Sequence, residues 1–429
     1  MAKLKKKFYF VAAGYFRFFA NFVLRRWNPE VIAVTGSVGK TTMLHLIEFE
    51  LGDKAHYSHD ANSAFGIAFD LVNLRGVTGS KFRWLYLIFA VPLKSLFVHH
   101  SEKYYVVEID GERPHETEFL ASWLKPKITL WISLGRSHAV QFEHQVSSGE
   151  FEDLDRAITH EFAMLPEYTR KKIYIDGDSY LMKKACEKIK EKNLTDAEVI
   201  ECKKSDLKSY SVFPDHTDFQ IKNQEFHFAC PQPEDITIQL IMLKNLCRDL
   251  DIPLKSDFTN LPLPPGRCSY FAGKNGLKLV DSSYNAHLIS MAAILDLATK
   301  MQADHKWLVL GDIVDQGSRE KTGHEKLAEL IKNTDAEKII LIGRRTCDYT
   351  APKLKRDNFP SKKLKVCKDV KDALSYIEKN ATGKETLIFK GSQYLEWLVE
   401  KLLENPADAE KLCRREPAAM KRKKNRGLV

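Results

Sequence analysis

Residues 35–42 read TGSVGKTT. Counted from Gly36 they fit G-x-x-G-K-T, a shortened form of the G-x-x-x-x-G-K-[ST] loop that cradles the phosphates of a nucleoside triphosphate. The chemistry follows from the residue types. Backbone N–H groups of Gly36, Ser37, Val38 and Gly39, backed by a helix N-terminus, face phosphate oxygens with donors. Lys40 brings a cation to the β- and γ-phosphates, Thr41 brings a hydroxyl to Mg²⁺, and Thr42 completes the set. The plain alternative is a glycine turn with a chance lysine. Context argues against it, because the buried-strand run EVIAVT (30–35) leads in and 41–51 read as the helix that follows. The loop points to a nucleotide and is silent on its use.

A loop of this kind needs a sheet to hold it. YYVVEI (104–109), KITLWISL (127–134) and KIYID (172–176) read as further strands, with helical patterns between them such as 151–165. Strands alternating with helices predict a mostly parallel sheet covered on both faces. From 205 to 230 the pattern changes to short alternating pieces (SYSVF, DFQI, EFHFAC) that predict antiparallel strands, followed by a helix at 236–250. The proline-rich LPLPPGR (261–267) is the best domain boundary. Beyond it LKLVD (277–281), KWLVLGD (306–312), KIILIG (338–343) and ETLIFKG (385–391) predict a second α/β unit. Residues 404–429 lose their periodicity and predict a short helix and a loose tail.

At 429 residues, with 44% hydrophobic and 29% charged content, the chain is too long for one ordinary core and too apolar for disorder. Its net charge of +9 is unevenly placed: +6 lies in residues 1–31 and +7 in 411–429, which leaves the body mildly acidic. That excludes a nucleic-acid-coating surface and favours basic arms for phosphates or anionic lipid. The eight cysteines form no CxxC pair, which argues against a zinc ribbon and fits a reducing, cytoplasmic setting. Residues 8–24 are aromatic-rich but interrupted by Arg17 and Asn21, short for a bilayer span and without a cleavage site. As a helix, Gly14, Arg17, Asn21 and Arg25 form a polar stripe. A helix lying in the membrane interface and a helix packed on the protein's own core are equal alternatives. Residues 82–98, FRWLYLIFAVPLKSLFV, pose the same choice, with Pro92 expected to break the helix. Segments 1–28 and 82–98 thus offer a peripheral contact to an anionic membrane at its inner face, with a buried hairpin as the alternative for the second.

Several segments, taken in order, resemble the Mur ligase family, ATP-dependent amide-forming enzymes of peptidoglycan synthesis. They are TGSVGKTT, HDANSAFGIAFDLVNL (59–74), EIDGERPHETEFL (108–120), SLGRSHAVQFE (133–143) and LPPGR (263–267). DSSYNAHLISMAAILDL (281–297), LVLGDIVDQGSREKTGHEKL (308–327) and FKGS (389–392) resemble the branch that adds D-alanyl-D-alanine to UDP-N-acetylmuramoyl-tripeptide. The resemblance runs over roughly residues 29–400.

It implies an α/β fold: a P-loop central domain with a mostly parallel sheet, 29–262, and a C-terminal Rossmann-like domain, 263–404. These are flanked by a basic, aromatic helix (1–28) and a basic tail (405–429). It implies ATP and Mg²⁺, a muropeptide-like acceptor, a D-alanyl-D-alanine-like amine, and no nucleic acid. In such enzymes a substrate carboxylate is phosphorylated and the acyl-phosphate is attacked by an amine, so positioning and charge carry the rate. The resemblance assigns Lys40 to the transferring phosphate, and Thr41, Glu108 and His138 to metal. Arg267 would reach the ATP phosphates on domain closure, and Asp281, Tyr284 and Asn285 would line the ribose and base. Asn62, His324 and Lys390 would lie near the incoming substrates. Taken alone, Glu108 reads equally as a solvated strand-end carboxylate and His138 as a satisfied loop histidine. Segment 281–285 reads as a strand-to-helix turn capped by Asp281 or a serine, and Lys390 as a strand-end charge.

Three departures stand against the family pattern. Where it commonly has a carbamylated lysine two residues before a Glu, this chain has Thr159, with His160 and Glu161 following. A threonine carries no carbamate, so the second Mg²⁺ site loses an anionic ligand unless Glu161 or His160 substitutes. The His/Asn pattern near 236 is replaced by PEDITIQL. Only about 30 residues precede the phosphate strand, so no UDP-gripping N-terminal domain is expected. The leading expectation is therefore an amide-forming ligase of the D-alanyl-D-alanine-adding kind. The alternatives are a related ligase with another carboxylate acceptor (a lipid-linked muropeptide or an amino-acid polymer) and a catalytically weak ATP-binding scaffold at the membrane.

Overall fold

The computed structural model describes residues 2–59, 61–76, 81–111, 113–136, 139–314, 316–392 and 394–428. The chain forms two compact units, Met1–Lys203 with Ile238–Leu254, and Lys204–Thr237 with Lys255–Val429. The antiparallel strands after residue 205 thus group with the second unit, where Val212 joins a core containing Val280, Met291 and Leu308. The proline cluster at 261–267 falls inside that unit.

The first unit is built on six parallel strands: β1 (Glu30–Thr35), β2 (Ala55–Tyr57), β3 (Tyr104–Ile109), β4 (Ile128–Trp131), β5 (Lys172–Asp176) and β6 (Glu198–Cys202), in the order β2-β3-β1-β4-β5-β6. Its helices are α1 (Ala2–Trp27), α2 (Lys40–Leu51), α3 (Ala64–Leu71), α4 (Lys81–Phe97), α5 (Glu116–Leu124), α6 (Glu143–Ser147), α7 (Leu154–Glu167), α8 (Tyr180–Glu191) and α9 (Thr237–Asp249). Val31, Ile32, Ala33 and Val34 in β1 and Tyr105, Val106 and Val107 in β3 are all buried. Such unbroken apolar runs suit central strands covered on both faces. The short β2 and the partly exposed β6 close the two edges.

α1 does not choose between its two expected roles. Ala13, Phe16, Ala20 and Val23 pack into a core with Ile67, Phe69, Leu87 and Val91, while Phe8, Val11, Phe18 and Phe22 stay exposed. Its polar stripe turns to α5. Arg17 donates to the Phe119 carbonyl at 2.7 Å and lies 4.7 Å from that ring's centre, and the Trp123 indole donates to Asn21.

The expected break at Pro92 does not occur, because α4 runs through it. Proline leaves the carbonyl four residues back without its helical donor. Here that carbonyl, Ile88 O, accepts the Tyr15 hydroxyl of α1 at 2.8 Å. A side chain from the neighbouring helix thus replaces the missing backbone bond. Nor is α4 buried on both sides, since Leu87 and Val91 face the core but Phe82, Phe89 and Leu93 face solvent. Among the described residues no helix is long and apolar enough to cross a membrane.

The second unit carries an antiparallel sheet, β7 (Leu207–Val212), β8 (Thr217–Ile221) and β9 (Gln224–Phe228). It also carries a six-stranded sheet of β10 (Ser269–Ala272), β11 (Lys278–Ser282), β12 (Lys306–Gly311), β13 (Lys338–Ile342), β14 (Leu364–Cys367) and β15 (Thr386–Lys390). The order is β10-β11-β15-β12-β13-β14, and only β10 runs antiparallel to its neighbour. Helices α10 (Leu288–Lys300), α11 (Glu320–Lys332), α12 (Ala351–Arg356), α13 (Val370–Asn380), α14 (Leu395–Leu402) and α15 (Pro417–Asn425) complete it. The expected α/β architecture of both units is therefore found.

The C-terminal segment is not a loose tail. Glu396 of α14, fully buried, lies 3.1 Å from the equally buried Lys423 of α15 and 3.0 Å from Arg414. The Trp397 indole donates to the Leu428 carbonyl. Two basic residues of the segment expected to be a loose tail, Arg414 and Lys423, are held by one buried carboxylate.

Candidate active site

In the first unit β1 lies between β3 and β4, so their carboxyl ends meet at one edge of the sheet, where open α/β sheets bind ligands. The loop after β1 is fastened to the chain leaving β4. Ser37 Oγ donates to Gly135 O and accepts from Gly135 N, both at 2.8 Å, and Val38 N donates to Ser133 Oγ at 2.9 Å, which returns a bond to Val38 O. Gly36, at φ +143°, passes so close that a Cβ would stand 2.9 Å from the backbone N and O of Ser133. Gly39, at φ +84°, begins α2 in the left-handed region, where glycine pays no steric penalty. Thr42 sits half-buried in the first turn of α2.

Lys40 and Thr41 point to the end of β3. The Lys40 ammonium lies 2.7 Å from Gly36 O and 2.6 Å from Asp110 Oδ1. Asn62 Nδ2 donates to the other Asp110 oxygen at 3.0 Å, while Asp110 N donates to Asn62 O. Thr41 Oγ1 donates to Glu108 Oε2 at 3.0 Å, and the Glu108 backbone is held by Ser58 Oγ. Asn62 thus joins the site through a carboxylate that was not among the expected residues. The signal for Asp110 was its place two positions after Glu108, where an extended chain returns to the same side. Thr41 and Glu108 present two oxygens to one point, a donor set that fits a hard divalent cation. His138 lies outside the described residues.

Glu161 does not stand free to replace a missing acid. Thr159 Oγ1 donates back to Asp155 O at 2.5 Å. Both Glu161 oxygens are taken at 2.7 Å by the backbone N–H groups of His115 and Thr117 at the start of α5. Burial raises the Glu161 pKa, and those two bonds oppose the rise. His160 is exposed on α7, its ring centre 5.2 Å from that of Phe151, and shares with Thr159 the lining of a groove between α7 and α8.

In the second unit the expected residues gather at the ends of β11 and β15. Asp281 is fully buried and accepts from Ser283 N at 3.0 Å; burial raises its pKa. The helix α10 is capped by His287 with Ser290, and not by Asp281 or its neighbouring serines. Tyr284 is exposed, with the Arg267 guanidinium 4.8 Å from its ring centre. Asn285 Oδ1 accepts from Ala286 N and its amide meets His287 Nε2 at 3.0 Å. Arg414, which sequence reasoning missed, donates to the carbonyls of Ser283 and Tyr284 and so braces this turn. His324 is fully enclosed. Its Nε2 meets Ile313 and its Nδ1 lies 3.0 Å from Thr350 Oγ1, so it fixes the chain after β12 and presents no face to a substrate.

Lys390 is buried beside Ser282, and burial pulls its ammonium from an ordinary 10.5 down to about 8, with the Arg267 charge acting the same way. The unfolded chain keeps this proton up to about pH 10.5, whereas the folded chain releases it near 8. Between those values the unfolded state binds more protons, so stability rises with pH there and is flat below. Relative to Lys390→Met, the wild type is expected to gain on the order of 2–3 kcal/mol across that window. Denaturant melts of the two proteins at matched pH check this, and parallel curves would refute it.

Comparison with known families places residues 266–393 in the Mur ligase, glutamate ligase domain. A UDP-N-acetylmuramoyl-tripeptide–D-alanyl-D-alanine ligase of Buchnera aphidicola is 22% identical over 79% of this chain and 69% of its own length. Among solved structures, MurF of Acinetobacter baumannii superposes with a TM-score of 0.68 at 18% identity, covering 90% of this chain and 79% of that one. MurF ligase of Thermotoga maritima in complex with ADP gives 0.68 at 17%, covering 90% and 82%. The two structures carry the likeness of fold. Residues 266–393 thus belong to the Mur ligase family, and the chain as a whole is similar to ligases of the MurF type.

Proposed function

We propose that this chain is an ATP-dependent carboxylate–amine ligase that adds D-alanyl-D-alanine to a UDP-N-acetylmuramoyl-tripeptide-like acceptor, acting in the cytoplasm and peripherally at the inner membrane face. The observation that carries it is the array of Lys40, Asp110 and Asn62 beside Thr41 and Glu108 at the ends of β1 and β3. In the reaction the γ-phosphoryl group of ATP passes to a carboxylate oxygen of the acceptor and ADP leaves. The amine then attacks the acyl carbon, loses a proton, and expels phosphate as the amide forms.

The chain's own work is positioning and charge. The pinned loop holds its N–H groups toward the phosphates without rearranging, which is where preorganised donors are most effective. Lys40 exchanges its Asp110 contact for phosphate oxygens, and Asn62 keeps Asp110 in place meanwhile. Thr41 and Glu108, with His138 from the following segment, would hold Mg²⁺, which when bound neutralises charge on the phosphates. Lys390 and Arg267 give the second unit two cations for anionic groups of the substrates.

The second reading, a catalytically weak ATP-binding scaffold, is favoured by Thr159 and by the full engagement of Glu161 with α5. One assay separates the two. Purified protein is mixed with ATP, Mg²⁺, UDP-N-acetylmuramoyl-tripeptide and D-alanyl-D-alanine, and ADP release is followed together with product mass. ADP release that depends on both substrates, with a new amide, is expected. Nucleotide binding without turnover on these substrates would overturn the proposed acceptor and amine.

A further inference from the structure

We infer that the outer faces of α1 and α4, together with the basic groove between α1 and α5, form one docking surface for an anionic phospholipid bilayer. The inference gives residues to the peripheral location proposed above and rests on that part of the reading.

The first observation is an amphipathic helix turned outward. On α4, Phe82, Leu85, Phe89, Leu93 and Leu96 recur at three- and four-residue spacing, and each is between 57% and 86% exposed. On α1, Phe8, Val11, Phe18 and Phe22 form a matching row, exposed by 45–71%. Soluble monomers rarely leave so many large apolar side chains side by side in water. The rows are fixed to each other, since Tyr15 bonds Ile88 O across the helices and Arg26 donates to the carbonyls of Ser95 and Val98.

The second observation is charge. The sequences of α1 and α4 hold ten Lys and Arg residues and no Asp or Glu. Beside the α1 row lies a groove of about 700 Å³ whose charged lining is Arg17, Arg25, Lys125 and Arg170, and which Phe18 shares with the apolar row. Apolar rings beside cationic heads match the boundary between acyl chains and anionic headgroups, where long basic side chains keep their charges at the phosphate level. A second copy of this chain on the same face would set cations against cations. No described helix can span the bilayer, so the contact lies along its surface.

The full chain is incubated with vesicles of phosphatidylcholine alone, or of phosphatidylcholine with phosphatidylglycerol, and bound protein is measured by flotation. Binding to the anionic vesicles is expected, weakened at least tenfold by high salt, with little on the neutral ones. Phe89→Glu with Leu93→Glu, at exposed positions, should lower that binding at least tenfold while solution ligation is unchanged. Arg25→Glu with Arg170→Glu should do the same through the groove. Absence of wild-type binding to anionic vesicles, or unchanged binding by the α4 variant, would overturn the inference; unchanged binding by the groove variant would remove the groove from it. A solution dimer that the α4 variant dissociates would assign the face to a second copy instead. Vesicle binding is read without ATP, so its failure beside intact ligation sinks the docking surface alone, and the reverse result sinks only the ligase reading.

Discussion

Lys40→Ala is expected to lower ligation by about a hundred- to a thousandfold while the chain stays folded. Removing one preorganised electrostatic contact to a developing charge typically costs about 10²–10³ in rate, and catalysis of phosphoryl transfer is almost entirely of that kind. Lys40 also touches both the loop, at Gly36 O, and the Asp110 carboxylate that follows β3. The fold should survive because Asp110 keeps its bond from Asn62 and the loop keeps its bonds to Ser133 and Gly135. Initial rates of ADP release with both substrates present, set beside the circular dichroism of the same sample, check this. A loss of less than tenfold would remove Lys40 from the phosphate site.

Glu396→Ala is expected to be the most damaging single change to stability. It takes from Lys423 and Arg414 the one carboxylate that pairs with both in the structure described, and breaking a buried ion pair from one side costs about 3–5 kcal/mol. The effect is asymmetric. Lys423→Met should cost clearly less, because Arg414 remains 3.0 Å from Glu396 and still balances it. Replacing both members, Glu396→Leu with Lys423→Met, should recover part of the loss by removing charge and partner together. Urea midpoints for the three variants test the order, and equal midpoints for Glu396→Ala and Lys423→Met would refute it.

What the sequence disclosed depended on whether the cause was local. The runs at β1, β3 and β12 were readable because central parallel strands must be apolar on both faces. The edge strands β2 and β6 escaped notice because one side faces solvent and their residues are mixed, as Glu198 and Glu201 show. β10 and β14 are four residues each and only partly buried, too short to register as a period. In the site, the loop was legible from type and spacing, and Glu108 through the family resemblance. Asp110 offered only its spacing from Glu108, because its hold on Lys40 exists only once β3 pairs with β1 in the register that sets Val34 beside Glu108. Glu161 was legible as an acid at the right place, but its service to the start of α5 depends on a contact 44 residues away in sequence. The basic end read as a loose tail because nothing local reveals that Glu396 waits to neutralise it.

The bond from Tyr15 to the carbonyl behind Pro92 has a genetic consequence. With a tyrosine at 15, a proline at 92 is tolerated, since the carbonyl it strands is satisfied from the next helix. With phenylalanine at 15, the same proline would leave that carbonyl to water and remove a bond between α1 and α4, and an alanine at 92 would in turn make the hydroxyl dispensable. The merit of either residue is therefore undefined without the other. Across descendants of this chain the two positions are expected to change in a fixed order: proline lost first, and only then tyrosine.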